Sequence, residues 1–157
     1  MPSGELFNLH IGHTNRINVI KATDQEKIFS GSNDCTIRSW NATTGVCEHV
    51  FKFADPISDL AVSLTSNFIY SASWDKMIWI IDLEAKKVIK TFIAAKEAIK
   101  CMIVTENYIF VSGCDSIIRG FNVDSGEQKE YSGHTGWVYC LAAVSYTHLR
   151  AHETGRN

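Results

Sequence analysis

A short hairpin pattern returns along this chain at intervals of about forty residues. Residues 27–40, KIFSGSNDCTIRSW, place Ile28 and Phe29 on one arm and Ile37 and Trp40 on the other. Ser32, Asn33 and Asp34 between them are small polar residues suited to turn geometry. The same shape recurs as NFIYSASWDKMIWII around Asp75 and as NYIFVSGCDSIIRGF around Asp115, so the turn aspartates fall 41 and then 40 residues apart. A period of this size means a unit of supersecondary structure repeated in series.

Taken in order, each unit supplies four short strands. RINVIKA, the hairpin at Asp34 and VCEHVFKF form the first set, with the polar turn NATTG before the last. DPISDLAV, FIYSAS, MIWIID and KVIKTFI form the second; AIKCMIV, YIFVSG, IIRGFNV and EQKEYS form the third. GHTGWVYCLAA then opens a fourth, and GELFNLHIGHT ahead of the first unit reads as a strand ending in a Gly-His turn. The entering aliphatics Ile17, Ile57, Ile99 and Val138 are spaced 40, 42 and 39 residues apart, which confines insertions to loops. Strands such as MIWII are apolar on both parities, as a sheet with neighbours on each face requires. Such four-stranded sheets bury both faces by stacking radially on copies of themselves. The expected fold is therefore all-β, an incomplete β-propeller of about three and a half four-stranded antiparallel blades. The repeats fall at about 10–49, 50–91 and 92–131, with a fourth starting at 132–143.

After Ala143 the pattern stops. VSYTHLRAHET, residues 144–154, looks like a translated sequencing-library adapter, so 144–157 is expected to be a non-native tail. His148 and His152 go with it. Met1 is either the true start or an internal methionine, because PSGELFNLHIGHT reads equally as the end of a preceding repeat or as a strand completing the last blade of a closed ring.

Composition excludes several classes. Apolar runs fall far short of the roughly 20 residues that span a bilayer, and no signal peptide is evident. A formal charge of −2 gives no electrostatic reason to bind nucleic acid or anionic lipid. The five cysteines form no CxxC pair or metal-ligand spacing and read as reduced small core residues. No metal, no cofactor and no small-molecule substrate are expected. A cytoplasmic or nuclear setting is. No Gly-rich phosphate loop is present, the sequon at Asn41 reads as a polar turn, and Lys86, Lys87 and Lys90 read as a solvated outer strand that protects an edge.

These residues resemble the WD-repeat β-propeller family, whose repeat carries a Gly-His pair, a strand-ending Ser-Gly, a turn Asp and a Trp-Asp pair. The likeness spans residues 4–143. The first repeat shows Gly12 and His13, Ser30 and Gly31, Asp34, and Trp40 followed by Asn41. The resemblance implies a buried tetrad of His13, Ser30, Asp34 and Trp40, with indole donating to serine, serine to imidazole and imidazole to carboxylate. The second repeat keeps Ser71 and Asp75 but has Phe53 or Ala54 for the histidine and Ile81 for the tryptophan. The third keeps Ser112 and Asp115 with one residue lost between them, and Phe121 replaces the tryptophan. Family rings most often have seven blades, so the chain is expected to be a fragment.

A His, Ser and Asp together suggest a hydrolytic triad, but the resemblance buries all three, whereas a nucleophile needs an exposed oxygen and an oxyanion hole. No enzymatic activity is expected. The resemblance implies instead a scaffold binding other proteins or peptides through its loop face, projected onto Arg16, Asn18, Asn33, Trp74, Trp137 and Tyr139. The alternative is a substrate-recruiting propeller within a larger enzyme such as a ubiquitin ligase or kinase.

Overall fold

In the computed structural model, residues 9–63 and 65–143 are described. The tail expected to be foreign, 144–157, and positions 1–8 of the leading segment lie outside them. Twelve strands and no helix occur among the described residues. Blade 1 holds β1 (Ile17–Ala22), β2 (Lys27–Ser32), β3 (Thr36–Asn41) and β4 (Cys47–Lys52). Blade 2 holds β5 (Ile57–Ser63), β6 (Phe68–Ser73), β7 (Met77–Asp82) and β8 (Lys87–Ile93). Blade 3 holds β9 (Ile99–Val104), β10 (Tyr108–Gly113), β11 (Ile118–Asn122) and β12 (Gln128–Tyr131). Each blade is an antiparallel meander in chain order, so the chain is all-β and builds an arc of a propeller.

Two turn devices set the hairpins. Asp34, Asp75 and Asp115 each accept the amide two residues on, at Thr36, Met77 and Ile117. The residue after each aspartate, Cys35, Lys76 or Ser116, takes a left-handed φ of 65°, 72° or 62°. At the next turn Asn41, Asp82 and Asn122 each accept two amides, from the residues two and three further on. Such side-chain caps hold a turn, and Gly45 and Gly126 add a positive φ to the Asn41 and Asn122 turns.

The core lies between blades. Along β6 the parity splits: Ile69 faces blade 1, among Phe29, Ile37, Ile57 and Leu60, whereas Tyr70 and Ala72 face blade 3, with Ile99, Met102 and Val111. A strand buried on both sides need not alternate apolar with polar, which explains MIWII; in FIYSAS the face toward blade 1 is completed by the buried Ser71 and Ser73. Each fully buried isoleucine contributes about 1.5–3 kcal/mol, so the seams dominate stability.

Four expectations are corrected. Residues 9–14 form no strand; they run alongside blade 1, with His10 edge-on to Trp40 at 5.7 Å. A Cβ at Gly12 would stand 2.9 Å from the Trp40 ring, so this approach needs glycine. Residues 137–143 also lack strand pairing, although Val138 is buried and its amide bonds to the Gly113 carbonyl, where a further blade would begin. In the third repeat no residue is lost. Ile17 pairs with Ser32, Ile57 with Ser73 and Ile99 with Gly113, each two residues before its aspartate, so Val111, not Ser112, occupies the place of Ser30. Finally, of the five cysteines only Cys101 is fully buried, and Cys140 is exposed.

Candidate functional site

The end of the arc that carries the turn aspartates is built first around blade 1. His13 arrives from the preceding loop, Ser30 from β2 and Trp40 from β3. The indole N–H of Trp40 donates to Ser30 Oγ at 2.8 Å, Ser30 meets His13 Nε2 at 2.6 Å, and His13 Nδ1 meets Asp34 Oδ2 at 2.7 Å. An indole only donates, so the serine hydrogen goes to Nε2 and the Nδ1 hydrogen to the carboxylate. The His13 and Asp34 side chains are 3% and 5% exposed. Burial pushes the Asp34 carboxyl up, but hydrogen bonds from the Thr36 hydroxyl, His13 and the amides of Thr14 and Thr36 outweigh it and hold the group well below the usual carboxylate range. Ser30 has no open side from which to attack a substrate.

The other two blades satisfy the same aspartate with donors the sequence reading missed. In blade 2 the indole of Trp79 donates to Asp75 Oδ2 at 2.9 Å, and its ring stacks edge-on against Phe53 at 5.4 Å. Ser71 Oγ, the equivalent of Ser30 Oγ, is buried without a hydrogen-bond partner among the described residues. In blade 3 Arg119 Nη1 donates to Asp115 Oδ2 at 2.6 Å and Nε to Glu130 Oε1 at 2.8 Å, while the Lys96 amide reaches Asp115 from the preceding loop. Burial raises the Asp115 carboxyl, but Arg119 and the two amides overcome that and lower it. Trp79 and Arg119 share one signal, a position four residues after the turn aspartate. Arg38 holds it in blade 1.

Around these fasteners lie the residues projected as a contact face. Arg16 is exposed, and its Nε bonds to Asn18 Oδ1 at 3.0 Å. Asn18 and Asn33 were expected to be exposed but are half-buried. The Asn18 amide donates to Asn33 Oδ1 and to the Ile57 carbonyl, both at 2.7 Å, fastening blade 1 to blade 2. Trp74, Trp137 and Tyr139 remain open, at 36%, 56% and 64% exposure. Lys100 Nζ sits 4.2 Å over the Trp74 ring and 5.8 Å from that of Trp137, and the Trp137 and Tyr139 rings lie 5.9 Å apart. Asn18, Lys100 and Tyr139 also border a cavity of about 500 Å³ beside the inner strands. Its wall includes Asp59, whose carboxyl burial pushes up and whose oxygens accept the amides of Leu60 and Met102 at 2.8 Å. No group of three or more His, Cys, Asp or Glu among the described residues could hold a metal ion.

Comparison with known proteins matches the family model described as "WD domain, G-beta repeat" to residues 4–41 and 45–82. An uncharacterized WD repeat-containing protein of Schizosaccharomyces pombe is 27% identical over 124 residues, which cover 73% of this chain and 34% of the relative. Pre-mRNA-processing factor 19 of Bos taurus is 25% identical over 140 residues, 83% of this chain and 27% of that protein. The ribosome biogenesis protein WDR12 homolog of Dictyostelium discoideum is 30% identical over 77 residues, 49% of this chain and 17% of that protein. Among solved structures, U3-55K superposes with a TM-score of 0.75 at 21% identity, over 83% of this chain and 43% of its own. The chain thus spans about a third or less of these relatives.

Proposed function

The chain belongs to the WD-repeat β-propeller family, and from that premise we propose that it is a non-catalytic scaffold whose loop end receives a peptide or domain of another protein. WD-repeat domains are in general protein-interaction scaffolds. The observation that supports a loop-end site here is the exposed aromatic group of Trp74, Trp137 and Tyr139, gathered about the Lys100 ammonium. Tryptophan and tyrosine dominate interface hot spots, because a rigid ring buries much area at little entropic cost. Asn18 and Asn33 belong to the frame behind that surface, and Arg16 to its rim. His13, Ser30, Asp34 and Trp40 act as a fastener between loop and sheet, a role supported by their burial and mutual saturation.

Protein rather than nucleic acid is the proposed ligand, in keeping with the formal charge of −2. Relatives named for pre-mRNA processing and ribosome biogenesis support an intracellular setting. Trp74→Ala combined with Trp137→Ala is expected to reduce the set of proteins captured in a pull-down while leaving the unfolding midpoint unchanged. An undiminished set of captured proteins at an unchanged midpoint would dispose of the loop-end assignment.

A further inference from the structure

The three outer strands differ in how they meet solvent. β4 has six residues, and its Glu48 meets Lys27 of β2 at 3.7 Å. β12 is only four residues long and commits Glu130 to Arg119. β8 has seven, of which only Phe92 is half-buried. Val88, Ile89 and Ile93 stand exposed on it, Ile93 by 74%. Lys86, Lys87 and Lys90 are exposed beside them, no carboxylate occurs from 85 to 96, and none of these lysines has an ion-pair partner among the described residues. A solvated edge has no use for three exposed aliphatics, which make it a template for pairing.

Register sorts these side chains by face. Lys87, Lys90 and Phe92 pair with Asp82, Ile80 and Ile78, on the side toward blade 3, where Lys90 and Phe92 border a cavity of about 310 Å³ with Phe121 and Val123. Val88 and Ile93 pair with Ile81 and Met77 on the other side. Apart from a bulge at Ile89, between Val88 and Lys90, the edge therefore sets Lys87 and Lys90 on one face and Val88 and Ile93 on the other. A second copy of β8 would set lysine against lysine, which is destabilising for directly opposed residues.

We propose that β8 accepts an added strand from a protein partner whose carboxylates alternate with aliphatic residues, the carboxylates facing Lys87 and Lys90 and the aliphatics facing Val88 and Ile93. Main-chain hydrogen bonds to the open edge hold the segment and the alternation selects it. This site is separate from the loop end.

The test titrates the full chain with a fluorescent peptide of roughly eight residues alternating glutamate and valine. Saturable binding is expected, with slowed amide exchange along β8 and an affinity about tenfold weaker in Lys87→Glu with Lys90→Glu. A peptide N-methylated at alternate residues is expected not to bind, whereas Trp74→Ala with Trp137→Ala leaves the titration unchanged. The proposal is overturned by no binding, by equal binding of the methylated peptide, by indifference to the lysine changes, or by self-association of the chain through this edge.

Discussion

Blades 1 and 3 present the same hairpin aspartate and satisfy it by opposite means. In blade 1 the donor is a histidine from the preceding loop, 21 residues away, backed by a serine and an indole, so the network ties the loop to two strands. In blade 3 the donor is Arg119, four residues on in the same hairpin, which also reaches Glu130 directly opposite on the edge strand. Blade 2 lies between them, with one indole N–H from Trp79 and an orphaned serine. The demand belongs to the turn and the donor is replaceable. What changes with the donor is the segment it fastens and the charge it buries.

The largest expected effect follows from the buried charge. Arg119→Met strands Asp115 and should lower stability by about 3 kcal/mol in urea unfolding; a loss smaller than that of His13→Ala would erase the distinction between the blades. Acid acts on both. The Asp34 and Asp115 carboxyls are depressed in the folded state, so their stabilisation is whole above the ordinary carboxylate range near 4 and declines as pH falls toward their folded values. In His13→Ala, which removes one donor from Asp34, the acid unfolding midpoint should move to higher pH. A coincident midpoint would detach His13 from the carboxylate.

At neutral pH His13→Ala should cost on the order of 1–3 kcal/mol, since it leaves Ser30 and Asp34 short of partners. An unchanged thermal midpoint would remove the fastener role. Trp79→Phe keeps the stack on Phe53 and deletes only the N–H to Asp75, for about 1 kcal/mol. The finest discrimination comes from one substitution made twice. Ser30→Ala should destabilise by about 1 kcal/mol, whereas Ser71→Ala, which removes an orphaned hydroxyl, should be neutral or stabilising within about 0.5 kcal/mol. Equal losses would mean the two serines are not distinguished by their partners.

The sequence made the strands legible because apolar runs stand between turn residues: FIYSAS, MIWIID and KVIKTFI coincide with β6, β7 and β8, although β8 is exposed along nearly its whole length. Register in the third repeat was not legible from the Ser-Gly pair. A hairpin counts from its turn, and Asp115 with Ser116 fixes Gly113 against Ile99 whatever dipeptide precedes it. Trp79 and Arg119 escaped notice because a donor that replaces histidine need not occupy the histidine's position. Asn18 and Asn33 looked like surface because an amide that bridges two blades has no one-chain pattern to betray it.

The carboxylate of Asp59 has a consequence for watching the molecule move. Met102 lies on an inner strand, and its amide hydrogen is fastened to Asp59 across the seam rather than to a strand of its own sheet. Parting of the second and third blades would release that proton to deuterium while the ladders within each blade stay intact. Its exchange, compared with that of its neighbours, would clock the breathing of the propeller.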